Sequence, residues 1–443
     1  MKRRIISLVL ILVLGLLPIM AFAEKTEGDF GNVHWKVDKG TLYINGSGIL
    51  DTAGPWDAYG NSIKKLDFSG TDLSIMCQFD YPNINEIKVG KGTVEIAHYA
   101  FPEIKSKKVK LIIEENNYQL DCQTYNSSRS GRFVTSVELG ADIDNFVVED
   151  DFVLNKTRDT LLMYFGKTEK TLDIPETVKN LSNNVLAGNQ AQEIRLPQSL
   201  EYIGDGALGN SVNLTHLTIP GNVKTLGSGC FATCRKLKSL NFVNPVIAKY
   251  DEHAYDYYML LDSIEDLIIP NYTDISNIYV DYNRSLTNII VSEGNEILNG
   301  SECHLYSKDC DKLKSVFLPN SLKDISTQNL PYVSGVKLYV IEGSYSHEFA
   351  EQNGYSFEIV KPITDVILSK TEIKLKPKKK AELKAKIKPA DATAKKVQWM
   401  STNENVATVN NGKITAIRAG ECDIIARGMD CGGISAICHV IVK

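Results

Sequence analysis

The hydrophobic pattern along this chain repeats. Leu172-x-Ile174-Pro175 returns as Ile194-x-Leu196-Pro197 and again as Leu217-x-Ile219-Pro220, at steps of 22 and 23 residues. A second register recurs between these anchors: Val178-x-x-Leu181, Leu200-x-x-Ile203-Gly204 and Val223-x-x-Leu226-Gly227. Two apolar residues in alternation predict a short strand. The proline that follows has no N–H to donate and ends it. Self-similarity at this period marks a solenoid, in which each coil buries its apolar ridge only against its neighbours.

Looser copies extend the pattern in both directions. Upstream, Leu66-x-Phe68, Ile87-x-Val89, Leu111-x-Ile113 and Val137-x-Leu139 are spaced by 21, 24 and 26 residues. Downstream, Leu240-x-Phe242, Leu267-x-Ile269, Ile289-x-Val291, Val316-x-Leu318 and Leu338-x-Val340 follow at steps of 27, 22, 27 and 22. About twelve coils therefore run from Leu66 to Val340. Before them, two alternating runs flank Asp38-Lys39-Gly40, a hairpin signal. Trp35 and Trp56 are the expected lids over the open end of the core. The period breaks at Phe152 to Tyr164, which reads as an inserted hairpin near 150–166. After the last coil, a short helix with Phe349 and Ala350 inward is stopped by Asn353-Gly354.

From Pro362 the pattern changes to short alternating strands around Trp399, with Asn411-Gly412 as a hairpin turn. About 80 residues of this kind predict an all-β sandwich. The expected organisation is a leader over 1–23, a cap over 24–58, a solenoid over 59–361 and a β module over 362–443. The leader has a basic start, an apolar run from Ile5 to Met20, and Ala21-Phe22-Ala23, which together read as a secretory signal with a cleavage site. No later stretch is apolar enough to span a bilayer. The mature protein is expected to be secreted and associated with a bacterial cell surface.

Composition sharpens this division. Without its leader the chain holds 46 basic and 54 acidic residues, and the β module alone is near +7, leaving about −15 on the rest. Two modules of opposite charge are implied, and an acidic solenoid excludes nucleic acid as a partner. Nine cysteines cannot all pair with one another. Cys234 and Cys310, each three residues before a repeat leucine, read as small buried hydrophobes; a bridge such as Cys422–Cys438 is the alternative in the β module.

The repeat block, with C-x-x-L-x-x-L at Cys234 to Leu240 and its I-P anchors, resembles the BspA-like leucine-rich repeats of bacterial surface proteins. Its ends, WKVDKGTLYINGSG and GSYSHEFAEQNGYSF, are similar to that family's ends. The last module, with VQWMSTNENVATVNNGKITAIRAGECDIIA, resembles a bacterial Ig-like domain of group 2. The expected fold class is thus an α/β-type leucine-rich repeat solenoid, mostly β with short helices and turns, followed by an all-β Ig-like sandwich. The resemblance implies adhesion to a host extracellular protein or glycan, or attachment to an anionic cell-wall polymer; a purely structural place in the envelope is the alternative. It implies no catalytic residues. The chain ends CHVIVK, so covalent wall anchoring through a sorting signal is not expected.

No nucleophile elbow, zinc-spaced His/Cys set or phosphate loop is present, so neither enzyme activity, a metal nor a cofactor is expected. Cys303-His304 and Cys431 with His439 are the nearest approach to a dyad, without a third group to orient them. Asp142, Asp144, Glu149, Asp150 and Asp151 crowd one acidic loop that lacks calcium-loop spacing. The expected binding residues are of two kinds. Tyr255, Tyr257 and Tyr258 belong to a tyrosine-rich stretch of the sort enriched at interfaces; replacement of repeat leucines in an enlarged coil is the alternative. The middle residue of each repeat strand must point away from the core, giving a ladder of Asp67, Lys88, Ile112, Glu138, Asp173, Arg195, Thr218, Asn241, Ile268, Ile290, Phe317 and Tyr339. Its last four rungs are apolar or aromatic, and Ile268 to Tyr339 are expected to form one exposed stripe; internal cover, by the tyrosine-rich insert or by the last module folding back, is the alternative. The module's lysine-rich strands, KLKPKKKAELKAKIK, alternate charge outward and could attract anionic polymer.

Overall fold

A computed structural model describes residues 25–443 except 71, 98, 103, 107, 121–132, 168, 245–246, 249–262, 270–282, 299–309, 328–329 and 331–334. The leader and the stretch with Tyr255, Tyr257 and Tyr258 lie outside the described residues. The repeat strands pair in parallel with their neighbours within three successive sheets. The first parallel sheet begins on a hairpin, Val33–Asp38 with Thr41–Gly46, whose turn residues Lys39 and Gly40 adopt φ of 48° and 80°. Thr41–Gly46 then pairs in parallel with Lys65–Phe68, and the sheet continues through Glu86–Val89 and Val109–Ile113 to Val134–Leu139. Trp35 and Trp56 close the end of the core, 2 % and 0 % exposed, with ring centroids 6.0 Å apart.

The same ridge resumes as Thr171–Asp173, Glu193–Arg195, His216–Ile219 and Ser239–Phe242. A third run holds Asp266–Ile269, Asn288–Val291, Ser315–Phe317, Lys337–Val340 and Phe357–Ile359. The second repeat register makes strands too, on the opposite side of the coil: Asn180–Leu181, Tyr202–Ile203 and Thr225–Leu226 stack in parallel. Tight turns join the two sides. Asn184, Gly206 and Gly229, one coil apart, all take left-handed φ of 57–59°, a conformation that costs glycine nothing and asparagine little. At Gly227 a Cβ would stand 2.4 Å from the Asp205 nitrogen, so the stacking distance itself demands glycine.

The hairpin at Phe152–Asn155 and Thr160–Tyr164 forms as expected, but it is no appendage. It follows a third antiparallel strand, Phe146–Glu149, and then pairs in parallel with Asn180–Leu181. Val153, Leu154, Leu161 and Met163 are buried in the common core, so the break in period begins the second sheet. At the far end, helix Tyr345–Gln352 is capped by Ser344, whose hydroxyl accepts from the His347 N–H, and it buries Phe349 and Ala350. It stops at Asn353 and Gly354, the latter at φ 71°. One continuous hydrophobic cluster runs from Val33 to Ala350.

The last module has its own two clusters. One gathers Ile373, Leu383, Ile414, Ile424 and Val440, the other Ile363, Val366, Ala392 and Ala426. Its central sheet orders Glu372–Leu375, Ser435–Val442, Gly420–Gly428 and Val397–Ser401. The hairpin Ala407–Asn410 with Lys413–Ala416 turns at Asn411 and Gly412, both at positive φ. Trp399 packs against both clusters yet stays half-buried. Along Ala385–Lys388 the lysines face out and Ala385 and Ile387 face in.

Candidate functional site

The ladder of outward residues exists. Register pairs Leu217 with Leu240 and Thr218 with Asn241, then Ile268 with Ile290, Ile290 with Phe317, and Phe317 with Tyr339. Its first half is polar except at Ile112, and its charges are paired. Lys88 Nζ lies 3.7 Å from Asp67 and 3.0 Å from Glu114, and Arg195 reaches Asp173 at 3.3 Å and Glu193 at 2.7 Å. Cross-strand neighbours of opposite charge are the arrangement a parallel ladder favours.

The apolar half departs from expectation. Ile268 and Ile290 are buried, at 3 % and 2 % exposure, and so are Thr218 and Asn241. None of the four belongs to the solenoid core, so they are covered from outside. At Thr218 and Asn241 the cover is the C-terminal module, which folds back on the sheet and flanks Ile268 and Ile290 with contacts at Phe242, Val243 and Glu293. Glu404 accepts from the Thr218 hydroxyl at 2.8 Å and lies 3.3 Å from His216 Nε2. The Gln398 amide donates to Asn241 Oδ1 at 2.6 Å. Asn405 and Arg418 both donate to Glu176, the first at 2.6 Å. Arg427 donates to the carbonyls of Phe242 and Val243, each at 3.2 Å, and the Glu293 N–H donates to the Cys431 carbonyl at 2.7 Å.

The expected four-rung exposed stripe is therefore shortened to two. Phe317 and Tyr339 are half-buried and stack at 4.4 Å with an interplanar angle of 14°, while their neighbours Val316 and Leu338 point into the core. Beside them Lys337 pairs with Glu358 at 3.0 Å. A cleft of about 530 Å³ remains between the modules, walled among others by His216, Lys238, Asp266, Gln398 and Trp399. The repeat pattern marks Thr218 and Asn241 as outward rungs, but nothing local signals their contacts with Glu404 and Gln398, 186 and 157 residues away.

The remaining candidates resolve simply. Asp144 pairs with Lys156 at 2.7 Å, Glu149 with Arg158 at 2.7 Å, and Asp142 with Lys91 at 3.4 Å, so the acidic loop is held by lysine and arginine. Among the described residues no cluster of three His, Cys, Asp or Glu is arranged to hold a metal ion. Cys422 and Cys438 are reduced thiols facing the module core, and burial pushes Cys422 up to about 11. His439 is held by Asp423 at 2.9 Å and by Glu421 at 3.5 Å, and the Asp423 hydrogen bond raises its pKa. Cys303 and His304 lie outside the described residues. Among the described residues no helix is long and apolar enough to cross a membrane.

Two family models match this chain. Residues 163–287 match the BspA type leucine rich repeat region, in six copies, and residues 362–436 match the bacterial Ig-like domain of group 2. An uncharacterized protein of Clostridium acetobutylicum is 36 % identical over 101 residues, covering 23 % of this chain. The match spans only 10 % of that protein's length. A leucine-rich repeat protein from Eubacterium ventriosum aligns over 69 % of this chain and 90 % of its own, at 17 % identity and a TM-score of 0.40. The pneumococcal vaccine antigen PcpA aligns over 75 % and 98 %, at 15 % identity and a TM-score of 0.41.

Proposed function

We propose that this chain, which carries a BspA-type leucine-rich repeat region and a bacterial Ig-like domain of group 2, is a secreted, surface-associated bacterial protein that binds another protein. Both domain types are non-catalytic kinds, and the reading assigns the chain no reaction. The observation that carries it is the stacked pair Phe317 and Tyr339, half-exposed on the outward ladder of the solenoid. Aromatic rings bring large contact area with few rotatable bonds, and they concentrate the energy of protein interfaces. A host extracellular protein is the partner class this supports; a glycan is the alternative ligand. The leader over 1–23 supports export.

The exposed lysines of the Ig-like module support a second role, attachment to an anionic wall polymer. Lys374, Lys384, Lys386 and Lys388 all face solvent, and their nearest acidic partners are few: Glu372 at 2.9 Å from Lys374 and Asp365 at 3.6 Å from Lys388.

The test of the binding reading replaces Phe317→Ser and Tyr339→Ser together in the mature protein. Immobilised wild type and variant are exposed to host matrix extract and to purified cell wall, and bound protein is identified. Capture of a matrix protein by wild type, lost in a variant with a near-normal melting curve, is expected. Equal capture by both proteins refutes the assignment of the ladder as the contact face.

A further inference from the structure

Four consecutive rungs of the ladder are apolar, and two of them, Ile268 and Ile290, lie buried between docking contacts of the Ig-like module. Its segment from Arg427 to Cys431 brackets these rungs. Arg427 is anchored on Phe242 and Val243, in the coil before Ile268. Cys431 is anchored on Glu293, just past the strand that carries Ile290. Between the two anchors, Met429 shares the intermodule cleft with Asp266, at the start of the Ile268 strand. Phe317 and Tyr339 lie beyond the second anchor and keep their partial exposure.

The named anchors of this cover are polar. Glu404, Gln398, Asn405, Arg418, Arg427 and Cys431 all reach the solenoid through hydrogen bonds or an ion pair. The solenoid core and the module's two clusters stay separate. Interfaces of this kind between domains of one chain resemble transient complexes, and relative motion is their default. The opposite charges of the modules favour closure, and salt weakens it.

We infer that the Ig-like module is a reversible cover, and that it and an external protein partner are alternative occupants of the row Ile268, Ile290, Phe317 and Tyr339. Release of the module lengthens the accessible apolar row from two rungs to four, roughly 14 Å at about 4.8 Å per strand. In the closed chain the partner meets only the aromatic pair, and its apparent affinity falls by the fraction of molecules that are open. Competition rests on the reading of the ladder as a partner face; opening needs no partner and is measured without one.

Cys431 reports the opening. It is 1 % exposed, and burial, with Asp430 and then Glu293 nearby, pushes its thiol up to about 12. Cys230, fully buried in the solenoid core, reports global unfolding instead. The native full-length protein is treated with iodoacetamide, and labelling at each cysteine is followed by peptide mass. Cys431 is expected to react at least about tenfold faster than Cys230, and faster still in high salt. Arg427→Ala, which removes two hydrogen bonds from a charged donor, adds about another tenfold. Labelling of wild-type Cys431 at the Cys230 rate, in low and high salt alike, overturns the cover. Where Arg427→Ala unfolds the module itself, Cys422 and Cys438 label with Cys431, and the wild-type salt series decides alone. A partner captured equally by wild type and a folded Arg427→Ala overturns the competition. Fast Cys431 labelling with capture unaffected by Phe317→Ser and Tyr339→Ser refutes the ladder reading instead.

Discussion

Asn189 is buried, yet its whole amide is paired. Its Nδ2 donates to the Leu186 carbonyl at 2.8 Å and to Ser211 Oγ at 2.6 Å, while Oδ1 accepts from the Ala191 N–H at 3.0 Å. Ser211, one coil on, donates in turn to the Leu208 carbonyl at 2.6 Å. Cys234 takes the next place in the register, and its thiol donates to the same Leu208 carbonyl at 3.2 Å. The position therefore asks for a small side chain that can satisfy a turn carbonyl, which is why asparagine, serine and cysteine interchange there. Asn189→Ala leaves the buried Ala191 N–H without its acceptor, while the Leu186 carbonyl keeps the backbone N–H of residue 189. The expected cost is about 1–3 kcal/mol, read as a lower urea midpoint at unchanged slope. An unchanged midpoint would show that water or a local shift repairs the loss.

At the scale of elements, what was legible in the sequence was what repeats locally. Leu172, Ile194 and Leu217 announced their strands because each alternates with a second inward residue and ends at a proline. The cap hairpin was visible in Asp38-Lys39-Gly40, and the module hairpin in Asn411-Gly412, since both need left-handed backbone. The two-residue strands such as Tyr202–Ile203 were visible only as a register, being too short to alternate. The antiparallel start of the second sheet was legible as a hairpin but not as core, because its burial comes from coils on either side. The ladder was legible in its direction and not in its exposure: Thr218 and Asn241 meet Glu404 and Gln398, residues far away in the chain, and Ile268 and Ile290 are buried. The lysine-bearing strands carry a prediction of their own. Protein bound to anionic wall polymer at low salt is expected to elute as the salt rises, because exposed charges are screened within about 10 Å at 0.1 M and about 3 Å at 1 M. Retention independent of salt would exclude an electrostatic attachment.

At the scale of the molecule, the solenoid and the Ig-like module are two hydrophobic units joined through polar contacts. Glu176, Thr218, Asn241, Phe242 and Glu293 mark the footprint along successive coils. The footprint ends where the aromatic rungs begin, so docking decides how much of the ladder a partner meets. In the proposed equilibrium the closed state predominates at low salt and sets the average shape. Small-angle X-ray scattering of the mature chain near 0.1 M salt reads that average directly. The expected profile is that of a single particle with the module lying against the solenoid, growing in maximum dimension as salt is raised. A profile of two separated bodies at low salt, unchanged by salt, would contradict the docked arrangement.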